Sequence, residues 1–304
     1  MLTIVILCFC QSCSGKTSTF QQSDSDFLTY NGNFHEEIIK PEVEAWKKVA
    51  VAMYPRVCDD TETQWAAAQV DSMANALLLH PDIPKGEQIA KLYEIQNMTA
   101  YGMSYFAAII GSYSNPGASR QALRMMQDSY AEIDSLTAVN YDNAHMLVNF
   151  EQSAYLNFGL FMELGTQYTD GAPQFVLQNQ QMNAYNIAKV NELFNNMSNE
   201  TQAYRYATLI DNTTFFMTYC PLTFWLTSGT DFQQIHQSQY IEIGTWFDKQ
   251  VADVNRAIDS NNITNLSEMS SSQYTSMLKQ AATYRTQIIR LLADGIMLID
   301  INKP

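Results

Sequence analysis

Cysteine is scarce in this sequence, and most of it lies near the start of the chain. The chain has 304 residues and five cysteines, of which Cys8, Cys10 and Cys13 fall within the first thirteen positions. Only Cys58 and Cys220 remain for the body, where they could form one disulfide or stay as buried thiols. The sequence therefore excludes a fold that depends on a framework of disulfides.

Basic residues are also few. Seventeen lysines and arginines against 31 acidic residues give a formal net charge of −14 at pH 7. Such an excess of negative charge argues against nucleic acid as a partner and against electrostatic docking on anionic lipid. Any attachment to a membrane is therefore expected to depend on a lipid.

The residues that carry common catalytic and metal chemistry are sparse as well. None of the four histidines stands three or four residues from another, so the sequence predicts no zinc site formed by two histidines of one helix. No G-x-S-x-G nucleophile motif occurs. The sequence predicts no metal, cofactor or catalytic residue, and it predicts that each histidine lies at the surface or at a helix end: His35, His80, His145 and His236.

The stretch CFCQSCSGKTS, residues 8–18, follows the apolar run LTIVIL and has two interpretations. A phosphate-binding loop requires G-x-x-x-x-G-K-[ST], and Gly15, Lys16 and Thr17 supply its second half. Cys10 stands where the first glycine should be, and no helical pattern follows to offer its N-terminus to a phosphate. The loop interpretation is therefore disfavoured.

The second interpretation is a site of lipid attachment. A short apolar segment followed by small and polar residues is typical of a secretory signal, because a membrane span needs about 20 apolar residues. Ser12 is the small residue before Cys13, and in this respect the stretch resembles a bacterial lipoprotein signal, although Cys10 and Gln11 differ from the usual residues at their positions. The resemblance implies a signal peptide over residues 1–12 and acyl chains on Cys13; an ordinary cleaved secretory peptide is the alternative.

The segment after Cys13 is rich in Ser, Thr, Gln and Asn, so residues 13–33 are predicted to be a flexible tether. Amide and hydroxyl side chains remain frequent further on, and the composition resembles that of proteins exported by gut Bacteroidota. We therefore expect a cell-envelope location, on the periplasmic or surface face of the outer membrane. Six N-x-[ST] sequons would matter only in a eukaryotic, glycosylated protein: Asn97, Asn196, Asn199, Asn212, Asn262 and Asn265.

From about residue 34 onward, apolar residues recur at helical spacing and no long stretch alternates with period two. Residues 34–304 are therefore predicted to form an all-α domain, a bundle or array of about eight to nine mostly antiparallel helices. The loop GTQYTDGAPQ leaves open a subdivision into two helical parts near residues 165–182. The predicted helices include 36–54, one ending at Pro81, one from about 89, and stripes from Ile243 to Ile258 and from Tyr274 to Leu298.

Two groups of side chains are candidates for function. Aromatic residues surround Pro221, and they predict either a groove for a sugar or a peptide or a filled core between helices: Phe215, Tyr219, Phe224 and Trp225. Glu151 and Glu163 lie on a helix that is apolar on most sides, where an acid could serve as a general acid or could be held inert by an arginine.

These observations predict a lipid-anchored envelope protein that binds or scaffolds a partner, either an envelope protein or a glycan. The alternative is a helical glycan-active hydrolase or lyase that uses helix-borne carboxylates. A deep acidic cleft would favour the enzyme, and an exposed aromatic or amide-rich surface would favour the binding protein.

Overall fold

The computed structural model describes residues 30–57, 61–83, 230–259 and 270–299, with single positions between 85 and 102 and between 212 and 227. Nearly all of these residues are helical and none is in a strand, which confirms the all-α class for the described part of the chain. Six helical segments have defined bounds within it, fewer than the eight to nine predicted for the whole domain. They are a π-helical segment, His35–Ile39, followed by α1 (Lys40–Val57), α2 (Thr61–Leu79), α3 (Asp231–Ile235), α4 (Gln237–Asp259) and α5 (Ser271–Leu298).

The first helical stretch forms as its apolar spacing predicts. The π-helical segment continues directly into α1, and the side chains at the predicted stripe are fully buried: Ile39, Val43, Trp46 and Val49. They recur every three or four residues and therefore share one face. The predicted helix 36–54 is confirmed, and it extends slightly further, to Val57.

The last helix is likewise confirmed along most of its predicted stripe. Ser270 caps it, because its hydroxyl accepts from the Gln273 backbone N–H while the Gln273 side chain accepts from the Ser270 backbone N–H. Tyr274, Ala281, Ile288 and Leu292 are buried. Leu298, which the stripe also included, is 52% exposed, because it is the final residue of the helix.

Helices α1 and α5 run parallel to each other. Three ion pairs join α5 to α1 and to the π-helical segment before it, in the same order along both helical stretches: Glu37 with Lys279 at 3.1 Å, Glu42 with Arg285 at 2.9 Å, and Lys48 with Asp294 at 2.7 Å. Residue numbers therefore increase in the same direction along the two helices, as they do only when two helices are parallel. The expectation of antiparallel neighbours therefore does not apply to this pair.

Helices α2 and α4, which contact this pair, run antiparallel to it. The Lys47 ammonium contacts Asp71 and Asn75 of α2, which follows α1 after a short connection and runs antiparallel to it. On the other side, α4 is antiparallel to α5: Gln239 bonds to Gln287, and the Tyr284 hydroxyl donates to Glu242 at 2.9 Å.

Residues from both ends of the chain share one core. Trp46 of α1 packs edge-on against Phe215 and Tyr219, and the Arg285 side chain of α5 is buried beside Glu42. These contacts join residues from before and after 165–182, the range in which the sequence left open a subdivision. The described residues on the two sides of that range therefore do not form separate cores.

The packed body begins earlier than the sequence predicts. Tyr30 lies inside the predicted tether, 13–33, yet its side chain is buried and its ring packs edge-on against Phe34. Tyr30 therefore belongs to the packed body. Residues 13 to 29 are outside the described residues, and for them the tether stays a prediction.

None of the helices within the described ranges combines the length and the apolar character that a bilayer-crossing segment needs. The predicted apolar helix that carries Glu151 and Glu163 lies outside the described residues.

Gly102, the last of the described positions between 85 and 102, packs against the end of α1. A Cβ atom at this position would collide with the Met53 methyl group and approach the Tyr54 ring to 2.7 Å. We expect Gly102→Ala to destabilise the protein by about 1–3 kcal/mol through overpacking. Chemical denaturation measures this change. Gly244→Ala is the matched control, because a Cβ there meets nothing within 4 Å, and it should be neutral or stabilising; equal losses for both variants would contradict the prediction.

Candidate functional site

Phe215 and Tyr219, two of the four predicted ligand-binding residues, lie in the core. Both are almost completely buried, their ring centroids are 4.7 Å apart, and Tyr219 lies 5.2 Å from the Trp46 ring. The Phe215 and Tyr219 rings are tilted against each other and Tyr219 meets Trp46 edge-on, as is typical of aromatic packing in cores. Of the two interpretations that the sequence allowed, the structure shows the filled core at these two positions.

The remaining candidates lie outside the described residues. For Phe224 and Trp225, the aromatic groove therefore stays a prediction. The same holds for the lipidation residue, the two cysteines of the body and the two acids of the apolar helix: Cys13, Cys58, Cys220, Glu151 and Glu163.

The most concentrated chemistry among the described residues is a buried ion pair, which the sequence did not single out. Both Glu42 carboxylate oxygens accept from the Arg285 Nε, at 3.1 and 3.2 Å, and the Arg285 Nη2 donates to Glu42 Oε1 at 2.9 Å. The Glu42 and Arg285 side chains are only 2% and 5% exposed. Several charge-assisted bonds in a buried setting are among the strongest polar contacts in proteins.

Two further segments complete the surroundings of the guanidinium group. Arg285 donates to the side-chain oxygens of Asn212, at 3.3 Å, and of Gln96, at 3.5 Å. The Phe215 ring lies 4.1 Å from the guanidinium carbon, within the range of a cation–π interaction. Three separate segments of the chain therefore converge on one arginine of α5. We name this set the arginine clamp: Glu42, Gln96, Asn212, Phe215 and Arg285.

The arginine clamp suits a structural role better than an acid–base role. Its carboxylate is buried and held by several bonds from one guanidinium group, so no proton-transfer position faces solvent. Asn212 is buried in the same cluster, so its sequon is inaccessible to a glycosylating enzyme in the folded protein. The clamp fixes the positions of the helices around it.

The sequence does contain a signal for the clamp, although charge on an apolar stripe is easily overlooked. Glu42 stands three residues after Ile39 and four before Trp46, on the buried face of α1. Arg285 stands four residues after Ala281 and three before Ile288 on the stripe of α5. A charged side chain at such a position must be paired when it is buried. A buried Glu42 therefore predicts a positive partner, and a buried Arg285 predicts a negative one.

His35 lies at the start of a helical segment, as the sequence predicts, and its side chain is buried. Gln88 donates through Nε2 to the carbonyl oxygens of Pro81 and Ile83, so its Oε1 accepts from His35 Nδ1 at 3.0 Å. His35 therefore ties the first helical stretch to the turn after α2. No three metal-ligating side chains come together among the described residues.

Comparisons with known proteins give no match. No protein-family model, no curated protein and no solved structure matches this chain.

Proposed function

We propose that this protein is a lipid-anchored component of the bacterial cell envelope whose helical domain binds or scaffolds a partner. The observation that carries the proposal is the position of Cys13, which follows a signal-like segment and stands seventeen positions before Tyr30, a residue buried in the packed body. The acyl chains on Cys13 would hold the domain at the membrane, since the net charge of −14 opposes docking on anionic lipid.

The length of the tether fits this role. Seventeen peptide steps separate Cys13 from Tyr30 and span at most about 56–61 Å when fully extended. As a flexible chain they would hold the body roughly 21–25 Å from the anchor. The helical stretch from His35 to Val57 is itself about 34 Å long. The domain can therefore move by a distance comparable to its own length while it stays attached.

We further propose that the whole body is one bundle of eight to nine mostly antiparallel helices. The described positions between 85 and 102 support this, because they advance in the same direction as the first helical stretch: His35 bonds to Gln88, and Tyr54 donates to the Met98 carbonyl at 2.6 Å. If each helix runs antiparallel to the one before it in the chain, a first and a last helix that are parallel require an odd number of helices. Nine helices satisfy both conditions.

A binding or scaffolding role is supported by the described surface of the last two helices. Uncharged hydrogen-bonding groups are frequent there, and they can both donate to and accept from a neutral polar surface such as a glycan or an envelope protein. The exposed residues of this kind include Gln237, Ser238, Thr245, Gln273, Ser276, Gln280 and Thr283.

Detergent phase partitioning of the full-length protein from its native host tests the anchor. We expect the wild type to enter the detergent phase and the Cys13→Ala variant to remain aqueous, because only Cys13 would carry acyl chains. The mass of the mature N-terminus should show an acylated cysteine in the wild type alone. Cys8→Ala is the matched control, since residue 8 lies in the segment to be removed. Equal partitioning of wild type and Cys13→Ala would refute the anchor.

A further inference from the structure

The first four described residues form an arm that lies against the body. Tyr30 is buried while Asn31, Gly32 and Asn33 are exposed. The Tyr30 ring packs edge-on against Phe34 with ring centroids 5.6 Å apart. The arm is thus held through its first residue, which is also the residue nearest the tether.

One carboxylate links the arm to the last helix. The Tyr30 hydroxyl donates to Glu37 Oε2 at 2.6 Å, and the Lys279 ammonium contacts Glu37 Oε1 at 3.1 Å. Glu37 therefore uses one oxygen for the arm and the other for α5. A second contact is direct: the Asn31 backbone N–H donates to the Thr275 hydroxyl of α5 at 3.4 Å.

The protonation preferences of these groups agree with the geometry. The hydrogen bond from Tyr30 and the one from Lys279 hold the pKa of Glu37 below its ordinary value. Burial, and then the bond to Glu37, raise the pKa of Tyr30. The carboxylate is therefore ionised and the phenol is protonated, as the two contacts require.

We propose that this arm, residues 30–33, acts as a strap. It docks the tether onto the start of α5 as well as onto the first helix. Because the two helices run parallel and both begin at this end, a load on the tether is shared between the first and last helices. The strap also makes this end of the body the one nearest the anchor. The sharing of load and the position of this end both rest on the proposed lipid anchor, whereas the docking of residues 30–33 does not.

Limited proteolysis with chymotrypsin tests the strap on the mature chain that carries Cys13→Ala, so that no lipid is needed. Phe27 and Tyr30 are both sites for this protease, and Phe27 serves as an internal reference in the tether. In this chain, with no further substitution, we expect cleavage after Tyr30 to be about tenfold or more slower than cleavage after Phe27. The reason is that the strap must first detach from the body before the protease can bind at Tyr30. N-terminal sequencing of the products measures both rates.

The variant Lys279→Met tests the link to α5. It keeps an apolar stem but removes the ammonium from Glu37, and we expect cleavage after Tyr30 to rise roughly two- to fivefold with the melting temperature unchanged. Lys40→Met is the matched control, since Lys40 pairs with Glu36 at 2.8 Å and is not a partner of Tyr30 or Asn31. Equal cleavage after Phe27 and Tyr30 would overturn the proposal, as would equal effects of the two variants. A failure of the anchor experiment leaves this result unaffected.

Discussion

Replacement of Arg285 by alanine is expected to destabilise the protein by about 3–5 kcal/mol. The substitution removes the guanidinium that donates to Glu42 and leaves that carboxylate buried without its counter-ion. It also removes the group that donates to the Asn212 side-chain oxygen and the cation that lies over the Phe215 ring. Domains usually have about 5–15 kcal/mol of stability, so this loss would be a large fraction of it. Urea denaturation followed by circular dichroism measures the change.

Two further variants separate the effect of burial from that of charge. Lys48→Ala breaks an exposed ion pair between the same two helices, with Asp294, and should cost less than about 1 kcal/mol. The double variant Glu42→Met with Arg285→Met should recover most of the loss, because apolar residues of similar volume often replace a buried pair without penalty. If Arg285→Ala were no more harmful than Lys48→Ala, the arginine clamp would contribute little.

We expect the buried ion pair to specify the arrangement of the helices more than it adds net stability. Apolar stripes alone let a helix slide or rotate against a neighbour, since one aliphatic contact can replace another. Bonds from a single arginine to Glu42, Asn212 and Gln96 are satisfied in one alignment only. The clamp therefore favours the parallel alignment of α1 and α5 over a shifted one.

The parts of the fold that could be predicted from the sequence are local. The spacing of Ile39, Val43 and Trp46, and of Ala281 and Ile288, gives the buried faces directly, because a helical period fixes which residues share a face. Helix ends are less certain, as the exposed Leu298 shows. These features depend on residues within a few positions of one another.

The parts that could not be predicted are contacts across the chain. Glu42 and Arg285 are 243 residues apart, and nothing in either stripe states which other stripe it meets. The aromatic candidates show a second limit. Phe215 and Tyr219 have the composition of a ligand groove and equally that of a core, so only the packing against Trp46 decides between the two.

Separation of the chain into two halves is expected to abolish folding of both. We consider fragments 13–170 and 171–304, cut within the predicted loop GTQYTDGAPQ, at the place where the sequence allowed two subdomains. The first fragment would expose the faces of Glu42 and Trp46 that now contact Phe215, Tyr219 and Arg285. Each large apolar side chain contributes about 1.5–3 kcal/mol through burial, so a few lost contacts equal the stability of a typical domain.

Neither fragment alone should therefore show a cooperative thermal transition by circular dichroism. An equimolar mixture should regain one and should elute as a single complex, because every contact of the intact core is again available. The mixture is also the control for damage caused by the cut itself. If each fragment melted cooperatively alone, the body would consist of two independent subdomains, and the contacts between α1 and α5 would be an interface rather than a shared core. The two outcomes thus distinguish one core from two, which the position of a loop in the sequence cannot do.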